Sequence, residues 1–463
     1  MHRNNPASLW SLIVANPQPC SRLIVGEGGN ATWVELAART VFDCNFDELG
    51  GSSIVLAAAD QLAAAAALIQ LDGLARRIVL YPPDLPREHL GYVAKTAEAD
   101  LILTDDETLA VDGVRVECVA RCAPGSMQHA VDRGSGVETE WILLTSGTTG
   151  LPKLVVHTLA TLTGAIGRGV QSSSAVWSTF YDIRRYGGLQ IFLRAVLGGT
   201  TLVLKSAKES IGEFLTRAGE VGITHILGTP SHWRSMLMSD AARRIAPEYV
   251  RLSGEISDQA ILNQLRGLYP NAKLVHAFAS TEAGVVFEVK DGLMGFPAEI
   301  VGNIPNVETK LEGGTLRVRS SRIAFRYLGA DSPSLKDENG FVDTGDAIED
   351  RDGRCYFVGR RDGTINIGGL KVHPEEVEAV INRHPDVRVS LVRMKKNPIM
   401  GGLVIADVVL KTQPQAAGEG TRTLQKEILQ FCRGELAQHK VPAAINFVTA
   451  LTVSESGKLI RHA

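Results

Sequence analysis

The chain has 463 residues, more than one ordinary hydrophobic core accommodates, so a large compound domain plus a smaller one is expected. Hydrophobic residues make up 44% and charged residues 21%, a globular composition that excludes a disordered or low-complexity chain. Lys+Arg 48 against Asp+Glu 51 leaves a formal net charge of -3, so no general field attracts nucleic acid or an anionic membrane, and any anion site must be local.

Residues 1–10 are polar and lack the basic-then-apolar order of a signal segment, and the Ala-rich run at 62–68 is far too short to span a bilayer. No membrane span is expected. From residue 53, apolar β-rich runs alternate with helical patterns: strand 53–57, helix 61–74, strand 77–81, helix 87–99 and strand 101–104. The rhythm returns with strands at 141–144, 201–204, 225–228 and 273–278 and helices at 211–221 and 259–268. Such alternation predicts βαβ units, hence an α/β fold of stacked, parallel-rich sheets sandwiched by helices. After Gly284, short β segments separated by Gly, Asn and Pro, notably 307–311 and 315–319, predict a small β subdomain over about 284–358. Beyond Arg360 come a short strand pair, a helix from Pro374, strands at 387–392 and 403–410, and a helix at 424–436. The expected organisation is an N-terminal domain over 1–361 and a small α+β C-terminal domain over 362–463.

Six cysteines, Cys20, Cys44, Cys118, Cys122, Cys355 and Cys432, are too sparse and irregular for a disulfide framework and fit a reducing cytoplasm. Cys118 and Cys122 lack a second Cys/His pair at zinc-site spacing, so no zinc is assigned.

The strongest local signal is the strand at 141–144 running into Thr145-Ser146-Gly147-Thr148-Thr149-Gly150-Leu151-Pro152-Lys153. Glycines let backbone N–H groups converge, hydroxyls donate further hydrogen bonds and Lys153 adds charge, a combination suited to the polyphosphate of ATP. A P-loop needs Gly-Lys-Ser/Thr opening a helix, whereas Pro152 precedes Lys153 and Leu154 follows it. A plain flexible linker fits poorly with a loop tied to a buried-type strand. At the end of the strand 273–278, Phe278-Ala279-Ser280-Thr281-Glu282 offers an aromatic for a purine and a carboxylate for Mg²⁺, although Thr-Glu serves equally well as a helix N-terminus. Asp343-Thr344-Gly345-Asp346 presents carboxylates on a turn, and Asp346 suits a ribose hydroxyl; a plain β-turn is the competing reading.

The order and spacing of these pieces, with Gly359-Arg360-Arg361-Asp362-Gly363, Ile367-Gly368-Gly369-Leu370-Lys371 and Ser456-Gly457-Lys458, resemble the acyl-adenylate-forming superfamily of acyl-CoA synthetases, aryl-CoA ligases, peptide-synthetase adenylation domains and luciferases. The resemblance runs from about Thr32 to Arg461. It implies an ATP- and Mg²⁺-dependent ligase that forms an acyl-AMP from a carboxylic acid and passes the acyl group to a thiol. By the resemblance, Thr145 to Gly150 and Lys153 form the phosphate loop, and Gly254-Glu255-Ile256 and Phe278, with Ala279 and Ser280, border the adenine. Thr281 and Glu282 contact phosphate and metal, and Asp346 with Arg360 holds the ribose. Asp362 matches the hinge of a mobile C-terminal domain, Gly368, Gly369 and Lys371 the path of CoA, and Lys458 the lysine that bridges carboxylate and α-phosphate. A nucleotide-binding module without catalysis is disfavoured because Glu282, Asp346 and Lys458 are all present; an oxygenating luciferase would share the first half-reaction.

Phe278-Ala279 stands where the family usually has Tyr-Gly, which keeps the stacking face and loses a hydroxyl. The acyl-pocket segment 180–189 lacks the histidine common in fatty-acyl members, and Tyr186-Gly187, like Ser253-Gly254-Glu255, is similar to aryl-CoA ligases. A compact or aromatic acid is therefore expected. Arg184 and Arg185 stand as readers of a second carboxylate, as CoA-phosphate contacts, or as two solvated arginines. The acceptor is CoA or a carrier-protein thiol, with CoA favoured because no carrier domain is fused before Ala463, and a homodimer is compatible with the family.

Overall fold

Within the strands Ser53–Leu56, Arg77–Leu80 and Glu140–Thr145, alternate residues point into two different cores. Ile54, Leu56, Ile78, Leu80 and Leu143 face one, while Val55, Val79 and Ile142 face the other. A strand buried on both faces reads as a continuous apolar run, and it demands a layer of structure on each side. The computed structural model describes residues 8–15, 22–38, 41–42, 46–119, 137–145, 150–167, 174–330, 332–367, 370–397, 401–412, 419–452 and 459.

These strands belong to a seven-stranded sheet in the order Arg326–Leu328, Lys153–His157, Glu140–Thr145, Arg77–Leu80, Ser53–Leu56, Leu101–Thr104, Arg115–Cys118. An eight-stranded sheet runs Gly284–Val289, Lys273–Ser280, Tyr249–Ser253, His225–Gly228, Val176–Thr179, Thr201–Leu204, Leu23–Gly26, Gly29–Thr32. The interiors of both sheets are parallel, and their antiparallel strands lie towards the edges. Between the sheets lie the helices Gln61–Leu71 and Tyr186–Gly198. All eleven residues of Gln61–Leu71 are buried, which explains an Ala- and Leu-rich helix with no polar face; Asp60 caps it by accepting from the amides of Leu62 and Ala63. The outer face of the eight-stranded sheet is covered by Ile211–Val221, Pro230–Leu237 and Gln259–Leu268.

A five-stranded antiparallel sheet, Phe296–Pro297, Arg354–Arg360, Val342–Arg351, Thr315–Ser320, Val307–Glu312, forms the β subdomain. Its extent differs from the sequence expectation at two places. Gly284–Val289 turns back on Lys273–Ser280 and closes the edge of the eight-stranded sheet, and Arg326–Leu328 leaves the subdomain to pair with Lys153–His157. The C-terminal module packs the helices Pro374–Ile381 and Glu419–Glu435 on the sheet Val387–Asn397, Gly401–Leu410, Ala444–Phe447, the α+β arrangement read from the sequence. Among the described residues no helix is long and apolar enough to cross a membrane.

Candidate active site

The carboxyl ends of Glu140–Thr145, Tyr249–Ser253 and Lys273–Ser280 open onto a cleft of about 500 Å³ whose opposite wall is the β subdomain. Parallel sheets place ligands at this edge, because the loops there leave a crevice no strand fills. Thr145, Lys153, Gly254, Glu255, Ile256, Phe278, Ala279, Ser280, Thr281, Glu282, Asp346, Arg360 and Asp362, dispersed through the sequence, all line it.

Thr145 and Lys153 face each other across the antiparallel ladder, at the two ends of the Gly- and hydroxyl-rich sequence 146–152. Ser146, Gly147, Thr148 and Thr149 lie outside the described residues. Gly150 occupies an exposed turn at φ 83°, in the left-handed region that favours glycine. The chain leaves this turn as a strand, whereas a P-loop would leave it as a helix. Arg185 supports the strand before the loop by donating from Nη1 to the Leu144 carbonyl at 3.1 Å while pairing with Asp84.

Phe278 does not stand alone as an aromatic wall. Its ring stacks on Phe357 with centroids 4.7 Å apart and on Phe287 at 5.7 Å, and all three line the cleft. A register shift between Phe278 and Ala279 marks an irregularity in the ladder, which then continues through Ala279 opposite Val285 and Ser280 opposite Gly284. Opposite, Gly254 at φ 85° turns the chain so that Glu255 reaches back to the helix Pro230–Leu237. The Glu255 carboxylate accepts from the Ser231 amide at 2.9 Å and hydroxyl at 3.0 Å, a charge placed at a helix N-terminus. It also accepts from the Leu459 amide at 3.3 Å, which brings Leu459 beside the cleft at Glu255. Lys458 itself lies outside the described residues.

The Thr281-Glu282 turn is held from three sides. The Thr281 carbonyl accepts from His157 Nε2 at 2.7 Å, the Glu282 carbonyl from the Ala324 amide at 2.9 Å, and the Glu282 carboxylate from the Tyr327 hydroxyl at 3.3 Å. Lys153 Nζ lies 5.4 Å from the centroid of the same Tyr327 ring, so one tyrosine contacts both the cation and the anion at this end of the cleft. Among the described residues no group of three metal-ligating side chains occurs. One carboxylate is nevertheless the donor set Mg²⁺ requires when phosphate oxygens and water complete its shell, so Glu282 fits that ion.

Asp346 and Arg360 are directly opposed in the ladder between Val342–Arg351 and Arg354–Arg360, their charged atoms 3.8 Å apart. Arg360 also lies 3.9 Å from Asp362, in the short turn Arg361–Gly363 that leads to the C-terminal module. Burial raises the pKa of the neighbouring Asp343 carboxyl, but hydrogen bonds from Gly345, Thr315 and Arg361 outweigh it and hold the group below its usual range.

The remaining predicted residues are not brought into the cleft. Tyr186 is buried behind the Ala279 wall with its ring 5.9 Å from His157, and a Cβ at Gly187 would come within 3.0 Å of the Tyr181 ring, so Gly187 is a packing position. Arg184 is fully buried and paired with Asp182, which excludes the solvated reading, and the Asp84 pair accounts for Arg185. Lys371 is exposed on Leu370–Val372; Gly368 and Gly369 lie outside the described residues. Tyr327, His157 and Phe357 were missed from the sequence.

The sequence matches the family described as AMP-binding enzyme over residues 59–318, and AMP-binding enzyme C-terminal domain over 376–458. The chain belongs to the AMP-binding enzymes. Among relatives, it is 26% identical over 431 residues to the mitochondrial acyl-coenzyme A synthetase ACSM4 of Rattus norvegicus, covering 82% of this chain and 73% of the relative. It is 27% identical over 366 residues to ACSM1 of Homo sapiens, covering 73% and 62%. The fold matches o-succinylbenzoate CoA synthetase of Bacillus subtilis in complex with its acyl-adenylate at a TM-score of 0.74, with 20% identity over 98% of this chain and 97% of that one. ATP-bound MatB of Rhodopseudomonas palustris matches at 0.80, with 18% identity and the same coverages. This AMP-binding enzyme therefore has the two-part adenylate-forming architecture expected from its motifs.

Proposed function

We propose that this AMP-binding enzyme is an AMP-forming acyl-CoA synthetase: a carboxylic acid and ATP give acyl-AMP and pyrophosphate, and CoA then gives acyl-CoA and AMP. The observation that carries it is the meeting of Lys153, Phe278, Glu282, Asp346 and Arg360 in one cleft, a set that offers a cation for phosphate, an aromatic face for a base, a carboxylate for Mg²⁺ and a carboxylate–guanidinium pair for a ribose. The acyl-coenzyme A synthetases among its relatives support the same reaction.

In the first step a carboxylate oxygen attacks the α-phosphorus and the bond to the bridging oxygen of pyrophosphate breaks. Phe278 and its aromatic neighbours hold the base, and the Asp346–Arg360 pair receives the ribose. Lys153 and Thr145 face the leaving phosphates. Mg²⁺ held by Glu282 would neutralise phosphate charge when bound. Lys458 is the cation assigned to the space between carboxylate and α-phosphate, where two anions must approach. In the second step the thiolate attacks the acyl carbonyl and AMP departs, with Asp362 as the hinge that removes Lys458 and brings the segment of Gly368, Gly369 and Lys371 to the thiol. The acid is compact or aromatic, a reading supported by the likeness of Tyr186-Gly187 and Ser253-Gly254-Glu255 to aryl-CoA ligases. The irregular cysteines favour a reducing cytoplasm, and a homodimer is the proposed assembly.

Acid-dependent pyrophosphate release, measured over aromatic, short-chain and long-chain acids with CoA and candidate carrier proteins supplied in parallel, tests the reaction, the acid class and the acceptor. AMP and acyl-CoA are the expected products. Release of ADP, or pyrophosphate release independent of acid, overturns the assignment; transfer to a carrier protein alone replaces CoA as acceptor.

A further inference from the structure

Where the strand Glu140–Thr145 enters the cleft, its parallel neighbour can no longer hold it. That neighbour, Arg77–Leu80, pairs as far as Leu80 beside Leu143 and then runs on as Tyr81-Pro82-Pro83. The Tyr81 amide is taken by the Leu56 carbonyl on the far side, at 3.0 Å, and the two prolines have no N–H to give. The Leu144 carbonyl, one residue before Thr145, therefore gets no donor from that strand, although Leu144 is a core residue. Arg185 supplies one, from Nη1 at 3.1 Å.

The guanidinium is itself fixed at both ends. Nε and Nη2 fork onto the two carboxylate oxygens of Asp84, Nε at 3.2 Å, and the Tyr81 hydroxyl ties down the loop that carries Asp84 by donating to the Pro86 carbonyl at 2.7 Å. The backbone of Arg185 leads into the helix Tyr186–Gly198 from a turn with little freedom. In that turn the Ile183 amide donates to Gln61 at 2.8 Å and the Arg184 amide to Asp182 at 2.8 Å, and a Cβ at Gly188 would come within 2.1 Å of the Asp182 carbonyl oxygen. The turn follows Val176–Thr179, so Arg185 reaches from the carboxyl edge of the eight-stranded sheet to that of the seven-stranded one. It does not line the cleft and acts there only through the strand end it holds.

We propose that Arg185 is a positioning residue for the triphosphate: by holding the Leu144 carbonyl from a rigid base on the other sheet, it sets where Thr145, and Lys153 paired with it, stand in the cleft. The proposal rests on the reading above, in which Thr145 and Lys153 face the leaving phosphates. A guanidinium suits the task because its planar fork serves Asp84 and the carbonyl at once, and its charge strengthens both contacts. The consequence is selective. ATP meets Thr145 and Lys153 through its β- and γ-phosphates, which AMP lacks, so loosening this strand end weakens ATP binding and spares AMP.

Calorimetry with ATP and Mg²⁺, and separately with AMP, in the absence of any acid, reads this difference in the wild-type protein, Arg185→Lys and Asp84→Asn. Lysine keeps a charge beside Asp84 but cannot serve Asp84 and the Leu144 carbonyl from one planar fork. The ATP affinity of Arg185→Lys is expected to fall about five- to ten-fold while its AMP affinity stays within about two-fold of wild type. Asp84→Asn, which frees the guanidinium to swing, is expected to shift ATP in the same direction by less. An arginine with a merely structural role would lower both affinities together, along with the melting temperature, or lower neither, and each of these results overturns the proposal. Should Arg185→Lys fail to fold, Asp84→Asn decides by the same comparison. Wild-type protein that binds both nucleotides yet releases no pyrophosphate with any acid removes the ligase reading and leaves the comparison standing; wild-type protein that binds neither overturns both.

Discussion

His157 Nε2 lies 2.7 Å from the carbonyl oxygen of Thr281, joining the strand that leaves the phosphate loop to the turn that carries Glu282. A carbonyl only accepts, so Nε2 carries the proton and Nδ1 accepts from the Thr161 hydroxyl at 2.9 Å. This neutral tautomer satisfies both ring nitrogens.

Burial lowers the His157 pKa to about 4, against an ordinary value of 6.5, and the Thr281 bond only partly opposes it. The unfolded chain therefore takes up a proton that the folded protein refuses. Stability present above pH 6.5 is expected to fall as pH drops through about 4, by about 3 kcal/mol from this residue. His232, lowered to about 3 by burial, acts in the same direction. Thermal melts from neutral to acid pH should show the loss, and His157→Gln should flatten its share; an unchanged profile in the variant would place the acid sensitivity elsewhere.

Tyr327→Phe removes the hydroxyl that donates to Glu282 but keeps the ring beneath Lys153. Glu282 then has freer orientation, at a cost of about 1 kcal/mol, so the apparent Mg²⁺ requirement should rise roughly five-fold with little change in melting temperature. A magnesium titration of pyrophosphate release reads this directly. No shift would mean that the hydroxyl leaves the metal ligand untouched.

Glu255→Gln replaces a carboxylate that accepts from Ser231 and Leu459 with an amide whose NH₂ opposes one of those donors. Stability should drop by about 1 kcal/mol, and the KM for ATP should rise because Gly254 and Ile256 border the same cleft. A variant with lowered melting temperature and wild-type KM would confine Glu255 to capping.

Lys458→Ala and Gly369→Leu should separate the two half-reactions. The first is expected to abolish acyl-AMP formation while sparing thiolation of preformed acyl-AMP, and the second to do the reverse. Near-normal pyrophosphate exchange in Lys458→Ala, or equal loss of both steps in Gly369→Leu, would contradict the roles assigned to them.

Phe278 and Glu282 were legible in the sequence because they stand at and just beyond the end of one strand, a local pattern that needs no knowledge of the partner strand. Asp346 was read on a turn, but the structure places Asp343–Asp346 inside the strand Val342–Arg351, where the partner strand carrying Arg360 decides the geometry. Tyr327 was not legible, since its importance comes from pairing with Val155 across the edge of the seven-stranded sheet. His157 stands in an apolar run and reads as strand interior; what makes it matter is the Thr281 turn that packs on it from far away in sequence. The hairpin Leu23–Gly26 and Gly29–Thr32 escaped notice for a related reason, because four-residue strands are too short to display a period. Gly284 marked a real turn, but composition could not show that the strand after it folds back on Lys273–Ser280.

That N-terminal hairpin has a consequence for how the protein is made. Ile24 finds its ladder partner in Leu202, and the helix Gln61–Leu71, buried on every side, needs both sheets before all of its surface is covered. During synthesis these early segments emerge long before their partners and must wait, apolar and unpaired, until the strand Thr201–Leu204 has left the ribosome. The first two hundred residues are thus expected to need chaperone protection while nascent, and fragments ending before this strand to aggregate.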